Sequence, residues 1–147
     1  RRKLLGDGGT ELSALQADFS EICDQQVDRP ALHDMASKVQ VRIGEWRELS
    51  AEIIAATGRD AQEIGAVSVD FLQYSAYVLL AGLWLQAAAR AQDALEQGSG
   101  EEGFYQAKLA SADFYLRRVL PRASAHREAI QGGAGCLMAL PESDFAF

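Results

Sequence analysis

The chain has 147 residues, 48% of them hydrophobic and 24% charged, which suits one domain able to bury a core without metals or disulfides. Lys and Arg number 14 against 21 Asp and Glu, a net charge of -7 that argues against nucleic acid and anionic lipid as partners, since both reward clustered cations. Cys23 and Cys136 are too few and too far apart for a disulfide framework or a metal site, and both are expected to stay reduced.

Residues 1–9, RRKLLGDGG, lack the apolar segment of a signal peptide, so a cytoplasmic location is expected. The chain starts on Arg1 instead of methionine, and residues 1–9 read as a linker from a preceding domain. Gly8 and Gly9 break the chain, and Thr10 reads as the cap of a first helix over 10–26, amphipathic through Leu12, Leu15, Phe19 and Ile22. Asp28, Arg29 and Pro30 open a second helix over 30–57. Its stripe is Leu32, Met35, Val39, Ile43, Trp46, Leu49 and Ile53, and Gly58 is expected to end it in the left-handed region.

Asp60 and Glu63 form a capping-box pattern at the start of a third helix over 60–97, which holds the most apolar stretch of the chain, Val69 to Ala89. That stretch carries Asp70, Gln73 and Gln86, which argues against a membrane span of about 20 apolar residues. A helix apolar on all sides is expected to be the buried core helix, with Leu80→Ala costing about 2–5 kcal/mol. Gly82 inside it predicts close approach of a neighbouring helix. Tyr74 and Tyr77, needing hydrogen-bond partners, are expected toward the bundle edge.

Ser99 and Glu102 repeat the capping-box pattern before a fourth helix over 101–131, striped by Tyr105, Leu109, Ala112, Leu116, Val119, Ala123 and Ile130. Pro121 removes a backbone bond and clashes with the carbonyl of Arg117, predicting a kink or break near 117–121. Gly132, Gly133 and Gly135 lead into a tail over 132–147. No period-2 alternation supports a strand. Long helices joined by short loops make an all-α, up-down antiparallel four-helix bundle over 10–131.

Candidate chemistry is sparse. Gly98, Gly100 and Gly103 spell G-x-G-x-x-G, but the motif follows a helix, and Glu101 and Glu102 repel phosphate. Neither His33 nor His126 has a glutamate three residues before it, as a di-iron bundle requires, so both read as helix-surface groups. Lys108, Arg117 and Arg118 suit an acidic ligand or, more simply, a solvated face. Trp46 and Trp84 read as core or interface anchors. The residues nominate no catalytic, cofactor-binding or metal-binding position.

The segment FYQAKLASADFYLRRVLPRA, from Phe104 to Ala123, resembles the C-terminal domain appended to a subgroup of bacterial acyl-CoA dehydrogenases, including those similar to methylmercaptopropionyl-CoA dehydrogenase. LLAGLWLQAAARA in the third helix, GGAGCLMALPESDF in the tail and RRKLLGDGG at the start share the likeness. It covers essentially the whole chain, most specifically at FYQAKLASADFY and LMALPE. The resemblance implies a complete enzyme that carries FAD and desaturates an acyl-CoA thioester between its α and β carbons. It also implies that the catalytic glutamate and the flavin-binding residues lie upstream of this sequence, so no catalytic residue carries over. On that reading the chain is a non-catalytic accessory bundle without a cofactor of its own, packing on the preceding dehydrogenase domain or at the contact of a homodimer. The alternative is a free-standing helical protein-protein interaction module with a partner helix in its groove.

Overall fold

A computed structural model of the chain describes residues 6–98, 100–137 and 139–145. All of its regular structure is helical, and no strand occurs among the described residues. Helix α1 spans Thr10–Gln26, α2 His33–Arg59, α3 Glu63–Glu96, α4 Glu102–Phe114 and α5 Ala123–Gln131. A π turn at Tyr115–Val119 and a 3-10 turn at Leu120–Arg122 join α4 to α5, and a short 3-10 turn at Glu142–Phe145 follows. The fourth rod of the bundle is therefore α4 and α5 in series.

α1 opens with a side-chain cap from an unexpected residue. The Asp7 carboxylate accepts the N–H groups of Gly9 at 3.0 Å and Glu11 at 2.9 Å, satisfying first-turn donors that have no helical partner. Thr10 is instead the first helical residue, and its hydroxyl donates to the Asp7 carbonyl. The buried face of α1 is also rotated from the predicted one. Gln16, Phe19, Ser20 and Cys23 are buried, while Leu12, Leu15 and Ile22 are only partly covered. Paired polar groups permit this: Gln16 Nε2 donates to Ser50 Oγ at 3.2 Å, and Gln40 Nε2 donates to Ser20 Oγ at 2.9 Å.

The predicted stripe packs inward as its spacing requires, with Leu32 just before α2 and Val39, Ile43, Trp46, Leu49 and Ile53 along it all buried and Met35 half-buried. Gly58 does not end the helix. It stays helical, α2 runs one residue beyond it, and Asp60, in an extended conformation, stops the helix and accepts the Gln62 N–H. The Asp60–Glu63 capping box is not formed, because Glu63 accepts the N–H of Ala134 at 3.1 Å and ties the chain after α5 to the start of α3. Ser99, the proposed partner of Glu102 in the second box, lies outside the described residues; the helix there starts without a side-chain cap.

α3 is the central element and touches each of the other four helices. Its residues Ile64, Val67, Phe71, Tyr74, Val78, Ala81, Leu85 and Ala88, all buried except the half-buried Phe71, follow alternating three- and four-residue steps, the narrow seam of a heptad pattern; Gly82, Ala89 and Ala91 are buried as well. The expectation of burial on every side is corrected by this seam. A second apolar stripe on the opposite face stays exposed, and Leu80 belongs to it at 44% relative exposure. By length and composition α3 could cross a membrane, but here its seam is filled by bundle partners. Gly82 sits directly under α1: a Cβ built there would collide with the Phe19 ring at Cδ1 and Cε1. That close approach accounts for glycine in the middle of a helix.

At Pro121 the fourth rod breaks, as a missing N–H and a ring clash require. The N–H of Leu120 reaches back five residues to the Tyr115 carbonyl, which widens the preceding turn. The inserted residue rephases the rod, so the adjacent residues Tyr115 and Leu116 are both buried and Leu120, Ala123 and Ile130 continue the core.

Candidate functional site

Three polar clusters cross the bundle. In the first, Tyr74 is completely buried, contrary to its expected place at the edge, because its Oη donates to Glu45 Oε2 at 2.8 Å. Arg42 pairs with the same oxygen at 2.7 Å and Arg127 with Oε1 at 3.1 Å. Burial opposes the Glu45 charge, but the Tyr74 bond and the Arg42 and Arg127 guanidiniums outweigh it and hold the carboxyl below its usual range. Burial, reinforced by the Glu45 carboxylate, pushes the Tyr74 phenol up. Both Glu45 oxygens are committed to partners within the bundle, so the cluster joins α2, α3 and α5 and offers no free base.

In the second, His126 of α5 pairs through Nδ1 with Asp70 Oδ1 at 2.8 Å and stacks on Tyr77, with ring centroids 5.8 Å apart. Asp70 is thereby a tether between α3 and α5 and not simply an interruption of an apolar run. Among the described residues no Ser, Thr or Cys side chain hydrogen-bonds this imidazole, so the pair lacks the nucleophile that a hydrolytic dyad would activate. In the third, Trp46 Nε1 donates to Ser75 Oγ at 2.8 Å, which satisfies the indole inside the core.

The other residues singled out by type are dispersed. His33 is exposed and bonds the Val27 carbonyl. Lys108 lies over the Phe104 ring, Arg117 pairs with Asp113 and Asp34, and Arg118 is exposed, so the three do not converge on a ligand. Cys23 is buried and Cys136 exposed, both as free thiols. Burial, with the Asp24 charge adding to it, pushes the Cys23 thiol up to about 12. Burial beside Tyr77 likewise raises Tyr115 to about 12. Among the described residues no three His, Cys, Asp or Glu side chains are grouped to hold a metal.

Two surface grooves bear on ligand binding. One, of about 450 Å³, lies at the α3–α4 loop between Leu95, Gly98, Gly100, Glu102 and Gln106. Gly98 and Gly100 adopt left-handed conformations there, and among the described residues the one charged group lining it, Glu102, is acidic, so the glycine motif is a helix-to-helix turn and not a phosphate cradle. The other, of about 500 Å³, lies beside the π turn between Trp84, Ala110, Ser111, Phe114, Tyr115 and Val119. Its lining is apolar apart from two hydroxyls. Neither groove offers a cation to the pyrophosphate of FAD, and the uncapped N-terminus of α4 beside the first carries Glu101 and Glu102, whose charges repel it.

Comparison with known proteins places these features in a family. Residues 15–141 match the family described as acetyl-CoA dehydrogenase C-terminal like. The chain belongs to this family. As a member of it, the chain is also similar to the broad-specificity linear acyl-CoA dehydrogenase FadE5 of Mycobacterium tuberculosis, 26% identical over 152 residues. The similarity covers 98% of this chain and spans a quarter of the relative, 25% of its length. The membership agrees with the resemblance carried by FYQAKLASADFY and LMALPE; Met138 within the latter lies outside the described residues. What the sequence did not single out is Glu45 and Arg127, whose partners lie on other helices, and the exposed stripe of α3. The 3-4 spacing of the seam was the signal that would have found the stripe.

Proposed function

We propose that this chain is the non-catalytic C-terminal helical part of an FAD-dependent acyl-CoA dehydrogenase, packing on the dehydrogenase body or at the contact of a homodimer. The observation that carries the reading is the family match over residues 15–141, on a chain similar to one quarter of a linear acyl-CoA dehydrogenase. The polar clusters are consistent with it, since their bonds run between helices of the bundle and none of their residues is among those described as lining either groove. The flavin and the proton-abstracting glutamate belong, on this reading, to the rest of the polypeptide. The proposed compartment is the cytoplasm, where the unpaired thiols of Cys23 and Cys136 stay reduced.

A second reading, a free-standing module that binds a partner helix, draws on the apolar groove at Trp84 and Phe114. Deletion of residues 10–145 from the natural polypeptide separates the two. The accessory reading predicts a protein that keeps bound flavin but melts at lower temperature than the intact enzyme. A natural polypeptide without flavin or acyl-CoA oxidation, before any deletion, would overturn it.

A further inference from the structure

We infer that the outward stripe of α3, Val69, Leu72, Ala76, Leu80, Leu83 and Ala87, is the seat of the flavin-binding portion of the same polypeptide. The inference rests on the accessory reading above and names the face that reading requires. Val69 and Leu72 are 67% and 65% exposed, and Leu80 and Leu83 44% each, so four large aliphatic side chains face water along one line. Contiguous apolar patches of a few hundred Å² are often functional, whereas single exposed leucines need no explanation. The steps are three, four, four, three and four residues, an average of 3.6. That period keeps the stripe straight along the helix, which suits a flat and rigid partner face better than a supercoiling helix. Between Val69 and Ala89 the one charge is Asp70, and His126 already holds it. The stripe therefore offers no charge to an ionic partner.

Area decides between a second copy and the same chain. Over 18 residues at about 1.5 Å rise and about 10 Å width the stripe presents roughly 270 Å² per side. Two copies joined by it alone would bury roughly twice that, well short of the roughly 1,200 Å² of a stable interface between separate proteins. They would also bring together two chains of net charge -7. A covalently connected partner needs no such area, because the linker supplies a high effective concentration. The chain spans 25% of the relative it matches, so a dehydrogenase of that kind has ample chain to cover the stripe.

The test uses the full natural flavoprotein with a photo-crosslinking phenylalanine at position 83, and separate Leu72→Cys and Val41→Cys variants in a Cys136→Ser background. Thermal melts followed by helical circular dichroism, coincident with that of the unsubstituted protein, confirm that the bundle of each variant is folded. Irradiation is expected to give an intrachain product at monomer mass, joining position 83 to a peptide outside residues 1–147. The thiol at position 72 is expected to react at least about tenfold more slowly than the one at position 41, as protection by packing requires. A product of twice the monomer mass that joins two α3 helices overturns the inference in favour of a second copy. Equal labelling at the two positions without a crosslink overturns it in favour of an open face. Both results leave the accessory reading standing, provided the protein is a long flavoprotein; a short polypeptide without flavin removes both.

Discussion

Tyr74 Oη donates to Glu45 Oε2 at 2.8 Å, and the pair lies where α2, α3 and α5 meet, with Arg42 and Arg127 closing the charge. Tyr74→Phe removes the one neutral donor and leaves the two guanidiniums in place. It is expected to lower stability by about 1.5–3 kcal/mol, the range for a hydrogen bond to a charged acceptor. Urea unfolding of the two proteins at neutral pH measures this.

The same carboxylate predicts the response to acid. The Glu45 pKa is depressed in the folded state, so its stabilising contribution is complete above the ordinary glutamate value of about 4.3 and is lost as pH falls through the lower folded value. Unfolding midpoints are expected to drop below about pH 4.3. The Glu45→Gln variant is expected to show a shallower drop in that window, at lower stability throughout.

Gly82→Ala is expected to destabilise the bundle even though alanine favours a helix by about 1 kcal/mol. The new Cβ collides with the Phe19 ring, and overpacking of this kind costs about 1–3 kcal/mol. The collision identifies itself by rescue. Combined with Phe19→Leu, Gly82→Ala should cost less than it does alone, as thermal melts of the four proteins in the cycle will show.

Two leucines on opposite sides of α3 separate the seam from the exposed stripe. Leu85 is fully buried, so Leu85→Ala should cost about 2–5 kcal/mol. Leu80 is 44% exposed, and Leu80→Ala in this chain by itself should cost less than about 1 kcal/mol. Chemical denaturation of both variants ranks them.

Much of this fold was legible because hydrophobic spacing is a strong signal. The α2 stripe from Leu32 to Ile53, the break before Pro121 and the close approach at Gly82 all follow from residue type and period. What escaped was set by partners remote in sequence. The α1 face turned because Gln16 and Ser20 found Ser50 and Gln40 on α2, and Tyr74 went inward because Glu45 waited there. Glu63 left its capping box for Ala134, 71 residues away. The α3 surface was misjudged for a different reason: uniform apolarity hides which stripe has neighbours, and the heptad spacing of the buried seam, not composition, tells the two apart.

The central claim is that this bundle serves a larger flavin-dependent dehydrogenase. The intact mass of the natural polypeptide in its source cell, with its bound chromophore, tests it most directly. The account predicts a mass several-fold above the 15.9 kDa of these 147 residues, with stoichiometric FAD. A colourless polypeptide near 15.9 kDa would contradict it.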